Sequence, residues 1–241
     1  MQSPEDRTVL ELIPVILQVR EELRANPHML LGKLMIRNER FLYFDLGKVL
    51  VDFDVTRMCR QMGEVAGLST EQVYRVIYSN GLQRRLELGL LDLEGFYEEF
   101  CNRIGKRPDF AALLAAANDI FSLNVDVVPL VAQVAHAGYR IGLLSNTCIN
   151  HWEFIGTRFR GIIELFPVWV LSFEVHAMKP NAAIFEAATK SAGLPPEKIF
   201  FVDDNAANVE GARACGWDAV TFQGPKALAE ELEKRGIHIN L

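Results

Sequence analysis

Four consecutive β-favouring apolar residues, Phe41, Leu42, Tyr43 and Phe44, stop at a single carboxylate, Asp45. The run is too short for a buried helix and apolar on both faces, the pattern of a central strand in a parallel sheet. Leu46 and Gly47 then turn the chain. In open α/β sheets ligands sit beyond the carboxyl ends of the strands, so this strand places Asp45 where chemistry is done. Asp also caps turns after strands, and that plainer role fits the same position.

The remainder of the chain supplies the other layers of such a fold. Residues 56–121 carry helical periodicity, with expected helices over 55–66, 70–79, 82–88, 92–104 and 108–121. Ser69-Thr70-Glu71 and Asp92 mark starts, Gly105 a stop and Pro108 an entry. No strand signal interrupts this stretch, so it reads as a helical insert. The segment 48–54 alternates apolar and charged residues, as in a small hairpin leaving the sheet. From residue 127 onward helices and strands alternate. Strands are expected at 139–144, 168–172, 199–202 and 219–222, and helices at 127–137, 150–159, 182–192, 206–215 and 225–235. That alternation predicts an α/β fold, a Rossmann-like doubly wound parallel sheet with an inserted all-helical cap. The division is residues 40–54 and 123–241 for the core and 55–122 for the cap. Residues 1–39 form an N-terminal extension with one apolar helical face, and Met29 or Met35 offers an alternative start.

Composition narrows the partners. The chain has 241 residues, half of them apolar, with a net charge of -6, so it can bury a full core and shows no basic footprint for nucleic acid. No stretch approaches the roughly 18 uninterrupted apolar residues of a membrane span. The opening is acidic where a secretory signal is basic. Cys59, Cys101, Cys148 and Cys215 are scattered without metal spacing and read as reduced thiols of a cytoplasmic protein. His136, His151 and His176 show no metal spacing either. The sequence sets no oligomeric state.

Three expected strands end in polar groups: Asp45, Ser145-Asn146 and Asp203-Asp204. In one parallel sheet these tips gather along a single edge. Clustered carboxylates need a cation, and an oxygen-only set suits Mg²⁺. With Lys179 as the opposite charge, the residue types describe a phosphoryl-transfer site, where positioning and charge stabilisation supply most of the catalysis. Plainer roles exist for each: Asp203 and Asp204 as helix N-caps, Ser145 as a turn residue, Lys179 as an exposed lysine before a proline.

The segments FDLGKVLVDFD, LLSNT, MKP and FFVDDNAANVEGA, in this order and with a helical insert after the first, resemble the four motifs of the haloacid dehalogenase-like (HAD) superfamily with a C1-type cap. Within it the chain is similar to small sugar-phosphate phosphatases. The resemblance covers about residues 40–225. It implies Asp45 as a nucleophile that becomes an aspartyl-phosphate, and a magnesium ion held by Asp45, the Gly47 carbonyl, Asp204 and Asp203. It further implies phosphate binding by Ser145 and Asn146, charge neutralisation by Lys179, and a small phosphorylated metabolite as substrate. Asn208 occupies a position that is often acidic in relatives and reads as a loop-orienting residue.

Two positions depart from the family pattern. Gly47 replaces the Asp that commonly serves as general acid, help worth about 100 to 10,000-fold. A non-catalytic phospho-ligand-binding protein is therefore a second reading, and a metal-free haloacid dehalogenase a third that the paired acids Asp203-Asp204 disfavour. Lys48 stands where relatives often carry Asn; its ammonium is placed either to pair with phosphate or Asp52 or to repel a metal. In the insert, Asn80 to Arg85 brings two cations to a candidate substrate contact.

Overall fold

Strand β1 (Phe41–Phe44) is the middle of a five-stranded sheet, paired in parallel on one side with β4 (Arg140–Ser145) and on the other with β6 (Ile199–Asp203). The computed structural model describes residues 40–237; the expected N-terminal extension, residues 1–39, lies outside the described residues. Beyond β4 lies β5 (Val168–Leu171) and beyond β6 lies β7 (Asp218–Thr221), also parallel. All four residues of β1 are buried, the burial on both faces that the uninterrupted apolar run predicts.

Side-chain alternation divides the core into two layers. Leu42 and Phe44 point to one face with Leu143, Phe200 and Val202, where they meet the buried faces of α6 (Val128–His136), α7 (Ile149–Arg158) and α12 (Pro225–Lys234). Phe41 and Tyr43 point to the other, with Phe201, Trp217 and the apolar sides of α10 (Ala182–Ala192) and α11 (Ala206–Ala214). On that second face the Tyr43 hydroxyl donates to the Ala188 carbonyl at 2.9 Å, which satisfies the one polar atom of the strand. Helices α8 (Arg160–Ile163) and α9 (Ser172–Val175) flank β5.

The helical stretch after β1 has its own core, built on Met58, Met62, Val73, Ile77, Phe100 and Leu113. It comprises α1 (Val55–Ala66), α2 (Thr70–Tyr74) running into a π-helical turn (Arg75–Ser79), α3 (Leu82–Glu87), α4 (Leu93–Ile104) and α5 (Phe110–Asn118). Its starts are set by caps: Asp54 accepts from the Arg57 amide, Ser69 and Gln72 form a capping box, and Asp92 and Asp109 cap α4 and α5.

Two expectations are corrected here. The segment 48–54 is not a self-contained hairpin. Lys48 takes a left-handed turn (φ 60°), and β2 (Val51–Phe53) pairs antiparallel with a strand some seventy positions later, β3 (Phe121–Leu123). The stretch to residue 122 is therefore not free of strand: the last helix ends at Asn118. Phe121 lies across from Phe53, with ring centroids 6.2 Å apart, and against His151 at 5.0 Å. This pairing is non-local, so no local pattern announces it. The β2–β3 ribbon is the two-stranded link through which the chain leaves and re-enters the larger sheet.

Gly142 shows how tightly β1 and β4 are matched. A Cβ there would stand 2.7 Å from Tyr43 Cε1, 2.8 Å from Phe41 Cε1 and 3.0 Å from the Val168 carbonyl. Gly142→Ala is expected to lower unfolding stability by about 1–3 kcal/mol through overpacking, read as a lower urea midpoint at unchanged slope; an unchanged midpoint would show that the sheet yields there.

Candidate active site

The register of the sheet assembles the site. Phe44 is level with Leu143 on one neighbour and Val202 on the other, so the next residue, Asp45, stands beside Leu144 and Asp203. Adjacent in-register residues of parallel strands point to the same face, and Asp45 and Asp203 share the face of Phe41, Tyr43 and Phe201. Over that face comes the loop ahead of α10, which delivers Lys179.

Lys179 spends all three of its donors inside the sheet edge. Nζ lies 2.8 Å from Asp45 Oδ1 and 2.6 Å from Asp203 Oδ2, and donates to the Leu144 carbonyl at 2.9 Å. Its side chain is 1% exposed. Burial works to lower the Lys179 pKa, but the two carboxylates outweigh it and hold the ammonium protonated. Burial pushes the Asp45 carboxyl up, to about 7; Lys179 pulls it back and Asp203 adds repulsion. Asp45 Oδ1 also accepts the Leu46 amide at 2.7 Å. One carboxylate oxygen is thus pinned, and Oδ2 accepts no hydrogen bond among the described residues.

Asp203 is fully buried and saturated. Besides Lys179 it accepts the Asn205 amide at 2.8 Å and the Asn208 side chain through both oxygens, at 3.0 and 3.1 Å. Asp204 reaches the surface, and its carboxyl is raised by partial desolvation against the sheet edge and by the charge of Asp203. One oxygen from each of Asp45, Asp203 and Asp204 lies within 4.8 Å of the others. Three carboxylates against one lysine leave a negative excess of all-oxygen donors, which fits a hard divalent cation. Asp45 and Asp204 have the freer oxygens, whereas the hydrogen bonds on Asp203 make it the member that holds the cluster in place.

The other expected residues line the same edge. Ser145 is buried (2% exposed) and, with Gly47 and Asn146, lines a cavity facing the helical module. Asn146 is occupied in a way its type did not announce. Its Oδ1 accepts the Lys179 amide at 2.8 Å and its Nδ2 donates to the Lys179 carbonyl at 3.0 Å, a two-point clamp on the lysine's backbone. Lys48 reaches the Phe53 carbonyl (2.9 Å) and Asp52 (3.4 Å) and lies 4.7 Å from the Phe53 ring centroid, while its charge still acts on Asp204. At Gly47 a Cβ would stand 2.9 Å from Phe53 Cε1, so the ring occupies the space a side chain at 47 would need. The expectation that the two arginines of 80–85 face a substrate is corrected: Arg84 and Arg85 are exposed, and Arg85 pairs with Glu99 at 2.6 Å. From that helix it is Gln83 and Glu87 that line the cavity, together with Tyr78 and His151. Gln83 lies within the expected stretch 80–85, and for Glu87 the available signal was its place four residues after Gln83, on the same face of the helix.

The fold and site together define a Rossmann-like α/β protein with a carboxylate and lysine centre at the carboxyl edge of its sheet. Residues 41–216 match the haloacid dehalogenase-like hydrolase family, and the chain belongs to it. A glyceraldehyde 3-phosphate phosphatase of Methanopyrus kandleri is 27% identical over 190 residues, 73% of this chain and 75% of that protein. An (S)-2-haloacid dehalogenase of Pseudomonas fluorescens is 23% identical over 219 residues, 85% and 93% of the two. A solved HAD-family enzyme of Bacteroides thetaiotaomicron, in complex with magnesium and inorganic phosphate, superposes with a TM-score of 0.68 at 25% identity, covering 77% of this chain and 94% of its own.

Lys179→Met leaves Asp45 and Asp203 facing each other without a cation. It is expected to cost about 3–5 kcal/mol of unfolding free energy, part of which returns in Lys179→Met/Asp203→Asn; additive effects in that cycle would show the triad is not coupled. Burial also pushes the His151 imidazole down, to about 4. The unfolded chain binds this proton from its ordinary 6.5, the folded one only near 4, so stability should fall as pH drops through that window. Denaturant titrations at several pH values should show a shallower loss in His151→Gln; identical slopes would mean that His151 is not held neutral.

Proposed function

We propose that the protein is a magnesium-dependent phosphatase that hydrolyses a small phosphomonoester, of the sugar-phosphate kind, through an aspartyl-phosphate on Asp45. The observation that carries this reading is the position of Lys179 Nζ between Asp45 and Asp203 within a three-aspartate cluster. The phosphatase relative and the magnesium and phosphate in the related structure support it.

Asp45, Asp204, the Gly47 carbonyl and, more remotely, Asp203 are the groups that would hold the ion. When bound, it neutralises charge shared by the carboxylates and the phosphoryl group. The chain's own residues do the remainder. Lys179 and Leu46 fix one oxygen of Asp45, leaving the other to attack phosphorus. Ser145 and the Asn146 amide bind phosphoryl oxygens. As the phosphorus bond to Asp45 forms, that to the leaving oxygen breaks. This oxygen takes its proton from water, because residue 47 has no side chain to give one. Water then attacks the phosphorus of the aspartyl-phosphate, releasing inorganic phosphate and restoring Asp45.

In this reading residues 55–122 act as a cap over a core made of residues 40–54 and the chain from 123 onward, excluding water during transfer. No described helix is long and apolar enough to cross a membrane, and four free cysteines suit a reducing, cytoplasmic setting. One observation favours a second reading, a non-catalytic phospho-ligand-binding protein: the general-acid position is closed by Phe53 against Gly47.

Turnover of p-nitrophenyl phosphate with Mg²⁺ separates the two. The wild type is expected to hydrolyse it, Asp45→Asn to lose about a thousandfold or more, and EDTA to abolish the reaction with recovery on added Mg²⁺. Turnover that persists in Asp45→Asn or in EDTA overturns the mechanism; binding of inorganic phosphate without any turnover supports the second reading.

A further inference from the structure

The cavity beside Gly47, Ser145 and Asn146 has a volume of about 80 Å³, room for a few water-sized groups and so for a small leaving group. The helical module closes it with Tyr78, Gln83 and Glu87. Glu87 is a half-buried carboxylate that, among the described residues, takes a side-chain hydrogen bond from Gln83 Nε2 alone, at 2.9 Å, and forms no ion pair with a Lys or Arg. Burial raises its pKa, and the Gln83 hydrogen bond offsets this only in part. Its field reaches across the cavity wall, contributing to the raised pKa values of Tyr78 and Cys148. A desolvated, uncompensated carboxylate weakens a fold, and neutral Gln or Leu would serve packing better there. Groups of this kind concentrate at functional sites.

The backbone beneath Glu87 is fastened to α9, the short helix that follows β5. Its carbonyl accepts Ser172 Oγ at 2.6 Å, and the next carbonyl, Leu88, is 2.9 Å from His176 Nδ1. Gly89 follows with φ +64°, and a Cβ there would lie 2.1 Å from the Phe173 carbonyl. Ser172 Oγ also accepts the Thr147 amide at 3.0 Å. The carboxylate is therefore set at a fixed height above the Ser145–Thr147 loop, as a specificity group must be.

Resting on the phosphatase reading, we propose that Glu87, oriented by Gln83 and neighboured by Tyr78, determines specificity: it accepts hydrogen bonds from hydroxyls of the leaving group and repels leaving groups that carry a carboxylate. The preferred substrates are monophosphates of short neutral polyols or sugars.

Three monoesters of similar size test this: glycerol 3-phosphate, n-propyl phosphate without hydroxyls, and 2-phosphoglycolate with a carboxylate. The wild type is expected to favour glycerol 3-phosphate over n-propyl phosphate in kcat/KM by about tenfold or more and to favour 2-phosphoglycolate least. In Glu87→Ala the first preference should collapse towards unity. In Glu87→Gln, which keeps an acceptor without charge, the relative kcat/KM for 2-phosphoglycolate should rise about tenfold. Ratios that stay at wild-type values in both variants, or three substrates that fall by one common factor, overturn the inference, since a structural role moves all three alike. Turnover of p-nitrophenyl phosphate by a wild type that does not distinguish the three refutes this inference and leaves the phosphatase reading standing; no turnover of any ester overturns both.

Discussion

The ammonium of Lys179 is the contact on which the sheet edge depends. Asp45 and Asp203 stand in register on adjacent strands, pointing to one face, and without a cation between them one would have to take a proton. At separations under 3 Å in a site this dry, the two carboxylates outweigh burial at the lysine and hold it charged, while burial still outweighs the lysine at Asp45; no donor of the lysine is wasted, since two go to carboxylates and one to the Leu144 carbonyl. The loop carrying the lysine is in turn held by the Asn146 clamp. Thus the β4 tip positions Lys179, and Lys179 positions the tips of β1 and β6.

This dependence explains a division of labour among the acids. Asp203 is fully buried, with every oxygen engaged, and Asn208 reaches both of them. A carboxylate so occupied is a poor ligand and a good anchor. Asp204, one residue on, emerges at the surface as the chain leaves β6 for α11, with oxygens free to bind. Two adjacent aspartates in sequence therefore meet opposite surroundings, because successive residues of an extended chain point to opposite sides.

What could be read in the sequence follows the same logic of distance along the chain. The five strands of the sheet and their polar tips were legible, because an apolar run and its terminating carboxylate are neighbours in sequence, and a parallel sheet brings such tips to one edge regardless of loop length. The helix starts were legible through Ser69 and Asp92, each a local device, whereas the start expected at Pro108 falls at Phe110, where Asp109 supplies the cap. The β2–β3 ribbon was not, since Val51–Phe53 finds its partner in Phe121–Leu123, and three-residue strands carry no period to detect. The outward turn of Arg84 and Arg85 was missed because charge suggested a ligand contact, whereas the helix buries Leu82 and Leu86 and thereby rotates Gln83 and Glu87 inward. The Asn146 clamp needed the third dimension, as a side chain meeting a backbone thirty-three positions away leaves no mark in composition.

Gly47 ties the family departure to packing. Lys48 turns the chain in a left-handed conformation, its ammonium lies by the Phe53 ring and carbonyl, and that ring stands against Gly47. An acidic side chain at 47 would have to displace the ring, which would in turn loosen the facing contact with Phe121. The absence of an acid at this position is thus built into the two-stranded link rather than being a single missing group. The space beside Gly47 is given instead to an apolar wall, and the cavity's polar groups come from the tip of β4, with Ser145 and Asn146, and from the helical module, with Gln83 and Glu87. Chemistry that needs a strong leaving-group acid is poorly served by such a site. In the phosphatase reading proposed above, chemistry limited by binding and by the reactivity of Asp45 is not.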